Sequence, residues 1–248
     1  MSRVFDVLLV GAGGIGAPAA LVLGRAGVPS IAVIDDDEVD ISNLHRQILF
    51  SDADVGKPKL ECFVGALRDR FAHLRVEAIH GRALPESARG LVSRCAVVID
   101  ATDNFASRFL LADACFLEGV PIVHAAAIQW RATVLATSPR GAPCYRCLFE
   151  DLPEGVAPAC STAGVVGPVC AIAGAVAADR ALRLLSDDAS VLGRLVTYDG
   201  HSDALREVNV HARAGCALCG GGAWIRSIDA SRYVHEACSS EQREKPLA

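Results

Sequence analysis

The chain has 248 residues, 52 % of them hydrophobic and 21 % charged, enough apolar material for one large core and too little polarity for a disordered chain. With 24 basic against 29 acidic side chains the formal charge is −5, which supplies neither a basic stripe for nucleic acid nor a polybasic face for anionic lipid. The first residues run directly into an apolar strand without a basic region or a cleavage site, and the apolar stretch over 165–181 is interrupted by Gly, Pro and Asp179. A soluble cytoplasmic protein with no membrane segment is expected, and its ten cysteines read as thiols, metal ligands or catalytic sulfur before disulfides.

Residues 7–10 form a buried strand in this reading, followed by Gly11-Ala12-Gly13-Gly14-Ile15-Gly16 and a helix that runs through Leu23 and Ala26 to a stop at Gly27. A second buried strand over 31–34 closes on Asp35-Asp36-Asp37-Glu38, and a helix over 58–71 and a strand over 76–79 come next. Residues 96–100 are another continuous apolar strand, then a helix passes through Phe109 and Leu117 to a strand at 121–124. Such alternation predicts an α/β fold with a Rossmann-like, doubly wound, mostly parallel sheet. Strands at 132–136 and 206–211 have no crossover helix tightly linked to them and are expected to extend that sheet antiparallel. Residues 165–181 read as a buried core helix, 159–167 as a loop of small residues beside the site, and 223–248 as a partly disordered C-terminal tail behind one domain over 1–222.

Gly11-x-Gly13-x-x-Gly16 between a strand and a helix permits a tight turn and close approach of backbone to a phosphate, which then meets the positive end of the helix. Asp35, ending the next strand, stands where a carboxylate accepts from ribose hydroxyls. These features alone suit a nicotinamide or flavin oxidoreductase equally well. Downstream, Arg46, one of Lys57 and Lys59, and Asp103 are expected to bring two cations and a carboxylate to the mouth of the sheet, the neutralisation that a triphosphate with Mg²⁺ requires. The residues themselves do not separate Lys57 from Lys59.

Cys144-Tyr145-Arg146-Cys147 and Cys216-Ala217-Leu218-Cys219 have the C-x-x-C spacing with which two tight turns hold one tetrahedral Zn²⁺, and four thiolates favour a closed structural site. Cys62, Cys95, Cys115 and Cys170 lie in apolar patterns and read as core. Cys160, in a small-residue loop just ahead of a helix, reads either as an exposed, acidified thiol or as an ordinary loop cysteine. Cys238 has no visible partner.

Taken together, the glycine turn, Asp35-Asp36-Asp37-Glu38-Val39, Ser42-Asn43-Leu44-His45-Arg46-Gln47, Pro58-Lys59, Thr102-Asp103-Asn104 with Arg108, and the two C-x-x-C pairs resemble the ThiF/MoeB/HesA family over a span from Val4 to about Gly221. The resemblance implies adenylation of the C-terminal glycine of a small ubiquitin-like sulfur-carrier protein ending in Gly-Gly. It places ATP at Gly11, Gly13, Gly14, Gly16, Asp35, Asp37, Ser42, Asn43, Arg46, Lys59, Asp103 and Asn104, and zinc on Cys144, Cys147, Cys216 and Cys219. Lys59 takes precedence over Lys57 because the family's lysine follows the proline. Arg46 and Lys59 would stabilise phosphate charge, Asp103 would hold Mg²⁺, and catalysis would be positioning plus electrostatics. Cys160 falls where the thiamine-pathway branch has a cysteine that bonds to the carrier after activation, and its surroundings look most like that branch.

Family members usually begin with a helical segment whose arginine reaches the partner subunit's ATP site, whereas this chain opens almost at its first strand, so the resemblance implies either that Arg3 or another subunit substitutes or that the transition-state charge is less well neutralised and the enzyme slower. No rhodanese-like extension follows Gly222, so a separate sulfur donor protein is expected, with a homodimer implied by resemblance. A non-catalytic nucleotide-binding scaffold that docks a carrier is the second reading.

Overall fold

The computed structural model describes residues 3–141, 143–153 and 163–233. Its chain order is β1 (Phe5–Val10), α1 (Gly16–Arg25), β2 (Ser30–Asp35), α2 (Lys59–Arg70), β3 (Arg75–His80), α3 (Ala88–Ser93), β4 (Cys95–Asp100), α4 (Phe105–Glu118), β5 (Ile122–Ile128), β6 (Arg131–Thr137), α5 (Tyr145–Leu148), α6 (Gly167–Leu185), β7 (Arg194–Asp199) and β8 (Ala204–Asn209). The strands form one 8-stranded sheet in the order β3-β2-β1-β4-β5-β6-β7-β8. Pairing is parallel from β3 through β5 and antiparallel from β5 through β8, the extended doubly wound sheet that the sequence pattern predicts.

Strand alternation divides the core into two layers. Val7 and Leu9 join Ile31, Val33, Val97 and Ile99 against α1, α2 and α6, while Leu8 and Val10 join Ala32, Ile34 and Val98 against α3 and α4. Two of the long helices have readable starts or stops. Asn104 caps α4 by accepting from the Ser107 N–H at 2.8 Å, Gly119 ends it in a left-handed conformation with φ +69°, and Pro168 occupies the first turn of α6.

Three differences from the sequence reading stand out. Strand β7 was not among the predicted elements although its Val196, Thr197 and Tyr198 favour strand, and β8 begins at Ala204, two residues early. Helix α3 spans 6 residues, too short to display a helical period. The packed unit also passes Gly222: Ile225 is buried beside the cysteine pairs, and the buried Tyr233 donates its hydroxyl to Asp113 Oδ2 at 2.8 Å. No helix among the described residues is long and apolar enough to cross a membrane.

Candidate nucleotide cleft and cysteine cluster

The order of β2, β1, β4 and β5 reverses direction between β1 and β4, and a cleft of about 490 Å³ opens beyond the carboxyl ends of those two strands. All the predicted nucleotide-binding positions line it except Gly16 and Ser42. Gly16 is a packing position, since a Cβ there would stand 2.0 Å from the Gly11 carbonyl oxygen. Gly11 has φ +103° and lies so close to Ala101 that a side chain would meet its carbonyl at 2.9 Å.

Asp35 uses both carboxylate oxygens on backbone. Oδ2 accepts from the Ala12 N–H at 2.7 Å and Oδ1 from the Asp37 N–H at 2.9 Å, so one side chain fixes the glycine turn and the acidic loop together. Residues 42–47 lie over the turn. The Asn43 carbonyl accepts from the N–H groups of Arg46 and Gln47 at 3.1 and 3.0 Å, and Asn43 Oδ1 accepts from the Arg46 guanidinium. Gly14 faces the Arg46 stem, where a Cβ would come within 3.2 Å of Arg46 Cγ. Ser42 supports this turn from outside, its carbonyl 2.9 Å from His45 Nδ1.

Lys59 begins α2 and is 5 % exposed, with its ammonium 2.6 Å from Asp37 Oδ2. Lys57 instead pairs with Asp54 at 3.2 Å on the surface and does not line the cleft. The two lysines are thereby separated by geometry as well as by motif. Asp103 is exposed at the cleft mouth, immediately before the Asn104 cap, so the positive end of α4 faces the same space. Arg82 joins the rim, its Nε 2.6 Å from Asp36 Oδ2, and this carboxylate raises the guanidinium's pKa further above its ordinary value.

Beneath the floor lies a polar cluster of which the sequence reading singled out Thr102 and Arg108 but not the Asp100–His124 pair. Asp100, the last residue of β4, is fully buried, and its Oδ1 accepts from the Thr102 N–H and hydroxyl at 3.0 and 2.6 Å. Its Oδ2 stands 2.7 Å from His124 Nδ1 and 3.9 Å from Arg108 Nη1. Burial works against the charge, yet Arg108, His124 and Thr102 together hold the carboxyl below its usual range, while burial lowers the His124 pKa. The pair is therefore carboxylate and neutral imidazole. Its available sequence signal was a carboxylate and a histidine inside apolar strand runs.

The cysteine pairs converge. Sγ of Cys144 lies 3.9 Å from that of Cys147 and 3.5 Å from that of Cys216, and Cys147 lies 3.3 Å from Cys219. Zn–S bonds of about 2.3 Å in a tetrahedron set sulfurs ~3.8 Å apart, so the donor set fits a closed zinc site. The surroundings are ordered to match. The Arg213 N–H points at Cys147 Sγ at 3.5 Å, and Arg146, 1 % exposed, clasps Asp113 with Nε–Oδ1 and Nη2–Oδ2 distances of 2.8 and 2.9 Å. Burial pushes the Cys144 thiol up, whereas Cys216, despite burial, is drawn down to about 7 by N–H groups of Cys219 and Leu218. Cys95, Cys115 and Cys170 are buried and Cys62 half-buried. Cys160 and Cys238 lie outside the described residues.

A family model described as the ThiF family matches residues 2–218. The chain is 40 % identical over 235 residues to the SAMP-activating enzyme E1 of Haloferax volcanii, covering 94 % of this chain and 86 % of that protein. It is 38 % identical over 217 residues to the sulfur carrier protein ThiS adenylyltransferase of Escherichia coli, covering 87 % and 86 % of the two. Against the adenylyltransferase and sulfurtransferase MOCS3 of Anopheles gambiae it is 40 % identical over 218 residues, 86 % of this chain but 49 % of that one. Among solved structures, Escherichia coli MccB with ATP superposes with a TM-score of 0.76 at 23 % identity, covering 87 % of this chain and 67 % of that one. That likeness extends to the fold.

Proposed function

The chain belongs to the ThiF family, and from that premise we propose that it is an adenylyltransferase that uses ATP to activate the C-terminal glycine carboxylate of a small ubiquitin-like sulfur-carrier protein. One observation carries the reading: Arg46, Lys59 and Asp103 converge on a single cleft with the glycine turn. The similarity to relatives named for activating SAMP and ThiS supports the same chemistry. In it, the carrier carboxylate attacks the α-phosphate and expels pyrophosphate, leaving an acyl-adenylate. Negative charge builds on the phosphates as the bond to the leaving group lengthens, and fixed cations stabilise it without reorganising.

In this reading Lys59 and Arg46 face the phosphates, Asp35 receives the ribose, and Gly13 and Gly14 let the phosphates approach the turn. Asp103 would hold Mg²⁺, whose part is to neutralise phosphate charge. The four cysteines would hold zinc structurally. Transfer of sulfur by a separate donor protein, a homodimer, a cytoplasmic setting and a covalent role for Cys160 complete the proposal. Unlike a nicotinamide or flavin enzyme, this reading employs both Arg46 and Lys59.

The test is ATP–pyrophosphate exchange by the zinc-loaded protein with Mg²⁺, with and without a carrier ending in Gly-Gly. Carrier-dependent exchange that disappears in Asp103→Ala supports adenylation. Binding of ATP without exchange for any of several carriers would turn the reading to a non-catalytic scaffold.

A further inference from the structure

Asp103, the carboxylate at the cleft mouth, sits on a turn between a strand and a helix. Residues 101–104 connect β4 to α4, and Asp103 at their tip is exposed. What fixes this turn comes from below. Asp100 grips it through two donors of Thr102, and Arg108, reaching back from the first turns of α4, donates Nη2 to the carbonyls of Thr102 and, at 2.8 Å, Ala125. The strand, the turn, the helix and β5 are thus tied at one point. His124, on β5 opposite Asp100 in the parallel register, supplies the remaining donor to the carboxylate through Nδ1. Behind it the Tyr145 ring lies 4.3 Å from the imidazole, closing the cluster from the cysteine side.

The geometry points to Asp100 and His124 as positioning residues for the adenylation step: a buried carboxylate–imidazole anchor that sets where Asp103, Asn104 and Arg108 stand in the cleft. The inference rests on the proposed function. Neither group lines the cleft, so their action is through the turn. A carboxylate this deep requires its full set of donors, and withdrawing one frees Asp100 to rotate toward Arg108, releasing Thr102. Neutral His124 donates from Nδ1, and its Nε2 has no hydrogen-bond partner among the described residues, so its contribution is the one N–H. An asparagine amide can replace that donor, while a leucine cannot.

The experiment compares wild type, His124→Leu, His124→Asn and Thr102→Val in zinc-loaded, full-length protein. ATP–pyrophosphate exchange is measured as kcat and KM over a Mg²⁺ titration, and Mg·ATP binding is measured separately by calorimetry. Thr102→Val removes one donor to Asp100 at a half-buried position and keeps the test decisive if His124→Leu does not fold. His124→Leu and Thr102→Val should each lower kcat by about tenfold, a loss of one positioned interaction in the transition state, with His124→Asn restored to within about threefold of wild type. Equal kcat in wild type and Thr102→Val, or an equal fall in His124→Leu and His124→Asn, would overturn the inference. If wild type itself shows no exchange, the proposed function has failed, and Mg·ATP affinity decides the anchor alone: a fall of about threefold or more in Thr102→Val sustains it, and unchanged affinity refutes it.

Discussion

Lys59 and Asp37 form an asymmetric ion pair: Nζ and Oδ2 are 2.6 Å apart, yet the lysine side chain is 6 % exposed and the aspartate 55 %. A half-exposed partner leaves the pair screened and of small value to stability. Its value is directional, because the ammonium is held at the cleft while one face of the carboxylate stays wet. Lys59→Ala is therefore expected to reduce ATP–pyrophosphate exchange by about 10²-fold or more, with little change in melting temperature. Lys57→Ala, which breaks only the surface pair with Asp54, should stay within about twofold of wild type. Equal effects of the two substitutions would remove Lys59 from the phosphate site.

The strands and helices that carry the cleft were legible because each is long, apolar and punctuated: Gly11 to Gly16 after β1, Gly27 after α1, Asn104 before α4. Their order along the sheet follows from right-handed crossovers, so the convergence of Asp35, Lys59 and Asp103 was legible too. The anchor beneath them was not. Asp100 and His124 stand in strand runs of Val, Ile and Ala, and nothing in period or composition states that two side chains 24 residues apart in the chain meet at 2.7 Å. The clasp of Arg146 on Asp113 escaped for a similar reason. Arg146 sits between two metal-spaced cysteines and Asp113 inside an amphipathic helix, where a charge ordinarily faces water. Ile225 and Tyr233 were hidden by a polar, low-period segment whose few apolar residues nevertheless dock.

Zinc should be measurable without any assay of activity. One zinc per chain is expected by elemental analysis, falling toward zero in Cys216→Ser or after treatment with a strong chelator. The cluster joins the turn at 144–147 to the turn at 216–219, and the Trp224 N–H donates to the Ala217 carbonyl at 3.0 Å, so tryptophan emission should change as metal leaves. Only two tryptophans are present, and a Trp130→Phe background isolates the signal. A drop of about 5–10 °C in melting temperature is expected, corresponding to several kcal/mol in a chain of this size. A metal-free wild type with an unchanged melting curve would reduce the cluster to four neighbouring thiols.

The buried carboxylate–imidazole pair also makes stability depend on acidity. Burial lowers the His124 pKa from its ordinary 6.5, so below about pH 6.5 the unfolded chain takes up a proton that the folded chain refuses. That stability is complete above 6.5 and is lost as pH falls. Arg108, His124 and Thr102, overcoming burial, depress the Asp100 pKa from 3.8, so its contribution is complete above about 3.8 and is lost as pH falls through the lower folded value. Both act in the same direction. Melting temperature should decline from pH 6.5 downward, with a slope of up to ~1.4 kcal/mol per pH unit for each whole proton difference. His124→Asn should flatten the part just below pH 6.5 and leave the steeper acid limb. An unaltered curve in that variant would mean that other histidines set the slope.

Gly167 offers a test of how the first turn of α6 supports the cleft. A Cβ there would lie 2.4 Å from the His45 carbonyl oxygen, closer than any real contact, and the obstacle is backbone that cannot swing aside like a side chain. His45 belongs to the turn that presents Arg46, whose guanidinium is placed by Asn43. Gly167→Ala must therefore push the helix start or that turn outward. A cost of about 1–3 kcal/mol is expected, together with a raised KM for ATP. Gly65 provides the control: it is exposed inside α2 with nothing within 4 Å of a built Cβ, so Gly65→Ala should stabilise by about 0.5–1 kcal/mol and leave KM alone. If Gly167→Ala lowered the melting temperature but left KM unchanged, the helix would shift without moving Arg46, and the contact would be one of packing alone.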